Sequence, residues 1–547
     1  MKIGIAQINS VVRDFPGNAK RLIAAYRECI DQGAELVISP ELSLVGYPPR
    51  DLVFKSSFVP KCLQALDYLA EEIREIPMLV GYVDHHHPRQ PGKPFRNAAA
   101  WLENGSVRHR VWKTLLPTYD VFDERRYFEP SDSCAPVEWN GMRIGITICE
   151  DIWTEDYLDR PLYNRDPVSE LSEQGIDLML NLSASPFHLG KPELRRSMIG
   201  AIARKHRMPV VYCNAIGGQD QLVFDGHSLV VGPNGRIIEQ FPGFNESCKV
   251  VNPFDSKQDD DVLNDCDASQ LYHALVLGLR DYAHKSGFSS ACLGLSGGID
   301  SALVAAIAVE ALGAQHVHGV SMPSRYSSEG SRTDAAALAS ALGIDLQTIS
   351  IEPAFEAYLS MTQQSFAGKA PDLTEENLQS RVRGTTLMAL SNKFGWMVLT
   401  TGNKSELAVG YFTLYGDSVG GFAVIKDLLK TTVYDLCRHI NKRSGREIIS
   451  EVVITKPPSA ELRPDQRDDQ SLPAYEVLDP ILELYVEQDR TAAEIIAMGF
   501  DDALVRRIAR LVDMNEYKRR QGAPGVRVSA KAFGKDRRLP ITNGYRG

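Results

Sequence analysis

An apolar run at residues 291–295 leads into Ser296-Gly297-Gly298-Ile299-Asp300-Ser301 and then into a stretch where Leu303, Ile307 and Ala311 recur at helical spacing before Gly313. A strand that passes through a glycine loop into a helix continues as a crossover to a parallel neighbour, so this segment commits the second half to a parallel sheet. Apolar runs near residues 318–322, 346–351 and 397–401 supply the neighbours. Strand and helix alternating at these lengths predict a doubly wound, Rossmann-like α/β sheet. The glycine loop then lies at the carboxyl end of a strand, where open α/β sheets bind ligands. Its glycines let backbone approach an anion, while Ser296, Ser301 and the helix N-terminus offer donors and a favourable dipole. No lysine follows, so this is not the Walker pattern. Asp300 beside phosphates is repulsive unless a cation lies between, which points it to Mg²⁺.

The first half is patterned differently. Short β-rich runs recur at residues 2–8, 36–39, 78–83, 98–102, 143–149, 177–182, 210–214 and 228–231. Pro16-Gly17-Asn18 opens a helix whose Leu22, Tyr26, Cys29 and Ile30 share a face, with Gly33 as its left-handed stop. Glu103-Asn104-Gly105 and Pro233-Asn234-Gly235 sit between strand-like runs, where Asn-Gly tolerates the positive φ of a tight hairpin. Hairpins together with crossovers predict a mixed sheet flanked by helices. No internal repeat and no low-complexity tract is visible. Around residues 252–269 the apolar periodicity breaks, with Asp259-Asp260-Asp261, Asp265 and Asp267. Nothing converges those carboxylates, so a solvated linker is expected rather than a metal site. The expected domains are therefore 1–251 and 270–547, joined by 252–269.

At 547 residues the chain exceeds what one hydrophobic core usually supports. A net charge of −10 argues against general nucleic-acid binding, and no eighteen apolar residues run together to span a membrane. The opening residues read as a strand with no cleavage pattern, so a cytoplasmic protein is expected. Nine scattered cysteines without a C-x-x-C pair exclude a disulfide framework and a cysteine zinc cluster, and most are expected to be small buried residues. His85-His86-His87 precede Pro88 in a polar stretch and are expected in a solvated loop. Lys518, Arg519, Arg520, Arg527, Lys531, Lys535, Arg537 and Arg538 crowd the end of the chain. They fit a solvated surface, or a contact with an anionic ligand or subunit.

Gly145-Ile146-Thr147-Ile148-Cys149-Glu150-Asp151 is a strand that ends abruptly in a cysteine. A strand-end thiol is expected to be partly exposed, and a neighbouring base or cation could activate it. Ser39-Pro40-Glu41-Leu42 offers an acid at a strand end, and Trp112-Lys113-Thr114-Leu115-Leu116-Pro117 a lysine after a hairpin strand. In order and spacing these three segments resemble the Glu-Lys-Cys constellation of the carbon–nitrogen hydrolase (nitrilase) superfamily. The resemblance covers nearly all of residues 1–250 and implies an αββα sandwich. It implies Glu41 as general base, Cys149 as nucleophile on a carboxamide, and Lys113 with the Glu150 N–H as oxyanion donors. It also implies that Tyr119, Glu124, Glu150, Ser185 and Lys191 hold glutamine, Lys191 standing where the family often has arginine.

The stretch Gly294-Leu295-Ser296-Gly297-Gly298-Ile299-Asp300-Ser301 resembles the pyrophosphate loop of the ATP pyrophosphatase superfamily. Thr400-Thr401-Gly402-Asn403-Lys404-Ser405-Glu406 narrows the resemblance to the NAD synthetase family, where the threonine meets ATP and the glutamate meets Mg²⁺ or the dinucleotide. Glu376-Asn377-Leu378-Gln379-Ser380-Arg381-Val382-Arg383 is similar to its E-N-x-Q-x-R-x-R stretch. Asn377 and Arg381 are thereby implied to contact deamido-NAD, and the alternating arginines suit several phosphates. The segment at residues 515–521 resembles a closing dinucleotide contact through Lys518. Gly416-Asp417 and Lys426-Asp427 also look like family positions.

Along essentially the whole chain the fusion resembles the glutamine-dependent NAD synthetase family. The resemblance implies ATP-dependent amidation of deamido-NAD, with ammonia freed from glutamine. ATP, glutamine, deamido-NAD and Mg²⁺, with Asp300 and Glu406 as metal ligands, are the expected small-molecule partners. An internal ammonia tunnel within a homo-oligomer is expected, because free ammonia protonates in bulk water. Two rival readings are an amidotransferase with another acceptor and a nucleotide-binding regulatory protein with a dead glutaminase half.

Overall fold

The computed structural model of the protein describes residues 1–153, 162–255, 265–464 and 466–545. Two compact units divide the chain, residues 1–219 with 223–265, and residues 266–547 with 220–222. Among the described residues no helix is long and apolar enough to cross a membrane.

The strands of the first unit are β1 (Ile3–Gln7), β2 (Leu36–Ile38), β3 (Met78–His85), β4 (Phe95–Glu103), β5 (Ser106–Trp112), β6 (Val137–Trp139), β7 (Met142–Ile148), β8 (Leu178–Ser183), β9 (Val210–Asn214), β10 (Ile216–Gln219), β11 (Leu222–Asp225), β12 (Leu229–Val231), β13 (Ile237–Gln240) and β14 (Ser247–Val251). Twelve of them build two six-stranded sheets, in the orders β14-β1-β2-β3-β4-β5 and β6-β7-β8-β9-β12-β13, and β10 and β11 pair in a separate two-stranded sheet. Read across those orders, each sheet pairs antiparallel, parallel, parallel, antiparallel, antiparallel. The sequence shows no repeat, yet the pairing repeats, because pairing follows chain direction and not the identity of each apolar residue.

Alternation along the strands sets Ile3, Ile5, Leu36, Ile38 and Trp101 against Ile144, Ile146, Leu178, Leu180 and Val211 in one core. Each buried aliphatic side chain there contributes about 1.5–3 kcal/mol. Met179, Val210 and Tyr212 point outward beneath the helices Pro167–Glu173 and Lys191–His206. The helices Phe15–Asp31 and Phe58–Glu72 pack on the other sheet. This is the expected αββα sandwich. The first helix has Asp14 as its cap, Pro16 in its first turn, Leu22, Tyr26 and Cys29 buried, and Gly33 at φ +83° beyond its end. Both residues of Asn104-Gly105 take positive φ, whereas at Asn234-Gly235 only the glycine does, and the β12–β13 register slips beside it.

In the second unit β15 (Ala291–Gly294), β16 (Val317–Ser321), β17 (Asp345–Thr348), β18 (Met397–Thr400) and β19 (Phe422–Ala423) form one parallel sheet, ordered β17-β16-β15-β18-β19. The chain runs outward from β15 to β17 and then returns to β18 on the other side. The switch point between β15 and β18 is where such sheets open a crevice for ligands. Ile299–Leu312 is helical from two residues before its expected start, with Leu303, Ile307 and Ala311 buried and Gly313 at φ +89°. A helical lobe that the sequence reading did not place packs Leu478, Ile481, Ile495, Val505, Ile508 and Val512 together.

Of the stretch expected as linker, residues 256–264, including Asp259-Asp260-Asp261, lie outside the described residues, and the helix Asp267–Lys285 begins inside it. All nine cysteines are free thiols and six are buried. The histidine loop is less solvated than expected, since His86 is buried and accepts from Arg96 Nε at 3.0 Å.

Candidate active sites

The segments after β2, β5 and β7 converge at one end of the sandwich. Lys113 Nζ, with no exposed surface, donates to Glu41 Oε1 at 2.7 Å and to Glu124 Oε1 at 2.8 Å. Glu41 also accepts from Asn97 Nδ2 at 2.7 Å and, through Oε2, from the Ala184 N–H at 3.1 Å. Gly81 permits this crowding, because a Cβ there would meet the Leu42 nitrogen at 2.2 Å. Cys149 begins a short 3₁₀ turn with φ +47°, a left-handed conformation that costs an L-residue about 1–2 kcal/mol. Asp151 holds that turn, accepting from Ile148 N at 2.9 Å and from Thr114 N and Leu115 N at 3.0 and 2.7 Å. One carboxylate thus pins the cysteine turn to the lysine segment.

Cys149 is buried, where a partly exposed thiol was expected, because it packs into the core cluster between the two sheets. Burial, reinforced by the Glu41 carboxylate, pushes its thiol well above the ordinary range despite Lys113. The resting thiol therefore keeps its proton until a base removes it. Burial alone would strip the Lys113 ammonium, but Glu124 and Glu41 hold it firmly protonated. Glu124 is raised by burial to about 7, against the pull of Lys113. Glu124, expected among the glutamine ligands, is bonded to Lys113 and to Tyr47 Oη at 2.9 Å.

The other expected glutamine residues lie in the same unit. Glu150 Oε1 accepts from Tyr119 Oη at 2.7 Å and Tyr163 Oη at 2.8 Å. Ser185 N–H donates to Asn214 Oδ1 at 2.9 Å. Lys191 Nζ lies 3.9 Å from the centre of the Trp153 ring, its ammonium pulled down to about 8 by burial and by Arg195. A cation so poorly compensated suits a carboxylate ligand.

At the switch point of the second unit, Gly297 takes φ +75° and passes so close to the Ser331 carbonyl that a Cβ would lie 2.3 Å from its oxygen. Only glycine fits there. Ser296 Oγ accepts from the Gly298 N–H at 3.2 Å and lies 3.3 Å from Ser301 Oγ, which shapes the loop from Gly294 through Leu295 to Ile299. Asp300, in the first helical turn, accepts from Asn403 Nδ2 at 3.0 Å and pairs with Lys430 Nζ. Lys430 also reaches Glu406 at 3.3 Å. Two carboxylates thus face one ammonium, and both are hard oxygen donors of the kind Mg²⁺ takes. Burial, opposed by Lys430 and aided by Asp300, raises Glu406 to about 8. Thr401 follows β18 at the start of this loop.

Three of the four expected dinucleotide residues gather on one loop, while Glu406 stays beside Lys430. Asn377 Oδ1 accepts from Thr413 Oγ1 at 2.7 Å, Arg381 Nε donates to the Leu414 carbonyl at 3.3 Å, and Lys518 Nζ donates to the Gly410 and Phe412 carbonyls at 2.9 and 3.1 Å. Arg383 does not join Arg381. Both lie in the helix Leu373–Phe394, where residues two apart face nearly opposite ways, and Arg383 turns to the Met322 carbonyl at 3.1 Å. The basic tail is not solvated throughout. Arg519, Arg527 and Arg537 are buried and paired with Glu516, Asp536 and Asp513.

Several contributors escaped the sequence reading. Asp151 stood inside the quoted C-E-D run, and Asn403 and Lys404 inside T-G-N-K-S-E, where an acid, amide or lysine beside a reactive residue was the available signal. Asn97, Tyr163 and Lys430 carried none.

A carbon-nitrogen hydrolase family model matches residues 2–251, and an NAD synthase family model matches residues 271–522. The glutamine-dependent NAD(+) synthetase of Thermotoga maritima is 44% identical over 595 residues, covering 100% of this chain and 99% of that protein. The chain belongs to the glutamine-dependent NAD(+) synthetase family. That places it among glutamine-hydrolysing ligases that form a carbon–nitrogen bond. The family member from a Synechocystis strain is 46% identical, with 99% of each chain covered. A solved family structure from Acinetobacter baumannii, in complex with ADP, aligns with a TM-score of 0.79 at 41% identity, covering 99% of this chain and 98% of that one.

Proposed function

We propose that the chain converts deamido-NAD to NAD with ATP, taking the amide nitrogen from glutamine. What carries the reading is a pair of clusters in which a buried lysine faces two carboxylates, one beside a strand-end cysteine and one beside a glycine loop at a switch point. In the first, Glu41 takes the Cys149 proton as sulfur attacks the glutamine carboxamide. Lys113 and the Glu150 N–H stabilise the oxyanion. Ammonia leaves, and water then resolves the thioester to glutamate. Tyr119, Glu124, Glu150, Ser185 and Lys191 hold the glutamine, and Glu124 also keeps Lys113 charged.

In the second, the loop from Gly294 to Ser301 and Thr401 hold ATP, while Asn377, Arg381, Glu406 and Lys518 hold deamido-NAD. The nicotinate carboxylate attacks the α-phosphorus and pyrophosphate leaves. Ammonia then attacks the acyl carbon and AMP leaves. Asp300 and Glu406 would hold Mg²⁺ from the protein side, and it would offset phosphate charge when bound. Ammonia at neutral pH is mostly ammonium without a nucleophilic lone pair, so it passes internally. We assign the glutaminase domain to 1–251, the linker to 252–269 and the synthetase domain to 270–547, in a cytoplasmic homo-oligomer.

The test supplies amide-¹⁵N glutamine, ATP, Mg²⁺ and deamido-NAD together with unlabelled ammonium. Labelled NAD and an equal yield of AMP are expected. Production of ADP, or NAD whose label is diluted to the level of the free ammonium, would contradict the reading.

A further inference from the structure

Of the residues Asn403, Lys404, Ser405 and Glu406, the first and last face the proposed ATP site, whereas Lys404 and Ser405 point the other way and are fully buried. Ser405 Oγ donates to Asp479 Oδ1 at 2.5 Å and accepts from the Lys430 N–H at 2.9 Å. Lys404 Nζ pairs with Asp427 at 2.9 Å and Glu487 at 2.6 Å, and donates to Ser529 Oγ at 2.7 Å and the Lys531 carbonyl at 2.9 Å. Burial would pull this ammonium down, but Asp427 and Glu487 more than reverse that.

Two of those partners, Ser529 and Lys531, lie beyond residue 522, where the NAD synthase family match ends. The segment around them is tied in elsewhere. Val528 N and Ser529 N both donate to Asp427 Oδ2 at 2.8 Å, and Ala423 at the sheet edge donates to the Pro524 carbonyl at 2.7 Å. Asn403 caps the helix Lys404–Val409 through the Glu406 N–H at 3.0 Å. That helix start therefore fixes the positions of both Glu406 and the Asn403 amide that holds Asp300.

We infer that Lys404 is a positioning residue through which the C-terminal segment 524–531 sets the geometry of Asn403 and Glu406, so that synthesis depends on a part of the chain outside the common synthase core. The inference rests on the proposed synthetase site. Replacing Lys404 leaves Asp427 and Glu487 as buried, unpaired carboxylates, which shifts the helix start. A misplacement of about 1 Å at reacting groups costs on the order of a hundredfold in rate.

The test uses the full chain with ammonium, ATP, Mg²⁺ and deamido-NAD, scoring kcat per folded molecule. For Lys404→Met a kcat loss of about a hundredfold is expected, with a smaller rise of about tenfold in the KM for deamido-NAD, because Glu406 also holds that substrate, and with glutamine hydrolysis retained. Ser529→Ala keeps the buried ammonium paired and should lose about three- to tenfold in kcat. A folded Lys404→Met with normal kcat and only a lowered Tm overturns the inference. If that variant does not fold, Ser529→Ala decides, and an unchanged kcat overturns the inference equally. Asp300→Asn separates the two levels: retained synthesis there sinks the site itself, whereas its loss beside a normal Lys404→Met sinks only the positioning role.

Discussion

Each unit buries a lysine between two carboxylates, and the two clusters differ in what surrounds them. Lys113 and its partners Glu41 and Glu124 are sealed, with side-chain exposures of 0%, 0% and 5%, and a buried thiol adjoins them. Around Lys430 the carboxylates of Asp300 and Glu406 each keep 18% exposure at the carboxyl ends of β15 and β18. A sealed cluster holds fixed charges and can move one proton over a short path. A cluster open on one side can exchange its ammonium contacts for a metal ion and phosphates without unfolding anything. On the proposed reading the same triad of charges serves proton transfer in one fold and polyphosphate handling in the other, and the difference lies in solvent access.

The largest expected effect breaks the sealed cluster. Lys113→Met leaves Glu41 and Glu124 buried without a counter-charge, so glutamine hydrolysis should fall by about 10³-fold or more while ammonium-driven NAD formation persists. Loss of both activities in a folded protein would show that the clusters are not separate. Lys430→Met should act in the opposite sense, cutting ammonium-driven synthesis by about 10²-fold and sparing glutaminase turnover.

Acid titration sharpens the contrast. Because Glu124 is raised to about 7, it takes up a proton as pH falls from 8 to 6, and Lys113 then loses a counter-charge. Glutaminase kcat/KM should fall along that limb. In Glu124→Gln the limb near pH 7 should vanish, on a rate about tenfold lower. An unchanged acid limb in that variant would assign it to another group. The smallest effect is expected for Asn377→Ala, which removes one hydrogen bond to Thr413. A rise of about fivefold in the KM for deamido-NAD, with kcat nearly constant, is the predicted reading.

What was legible in the sequence follows the same divide. Glu41, Lys113 and Cys149 end strands at turns, so their segments stood out, as did the glycine loop before Asp300. The cysteine's burial was not legible, because it depends on a core cluster between two sheets whose strands lie far apart in sequence. Lys430 was missed for a related reason. It opens the helix Lys430–Ser444 with no acid or glycine beside it, and only the fold brings it to Asp300. The paired arginines misled because alternation means one face in a strand and opposite faces in a helix. The burial of Arg519, Arg527 and Arg537 in the basic tail was not legible, because only the fold pairs them with Glu516, Asp536 and Asp513.

The central claim is that Cys149 supplies ammonia from glutamine and that the synthetase site does not need Cys149 once ammonium is given. Cys149→Ala, given ATP, Mg²⁺ and deamido-NAD with either glutamine or ammonium, tests it most directly. The account predicts wild-type NAD formation from ammonium and none from glutamine. NAD formation from glutamine at an undiminished rate would contradict it.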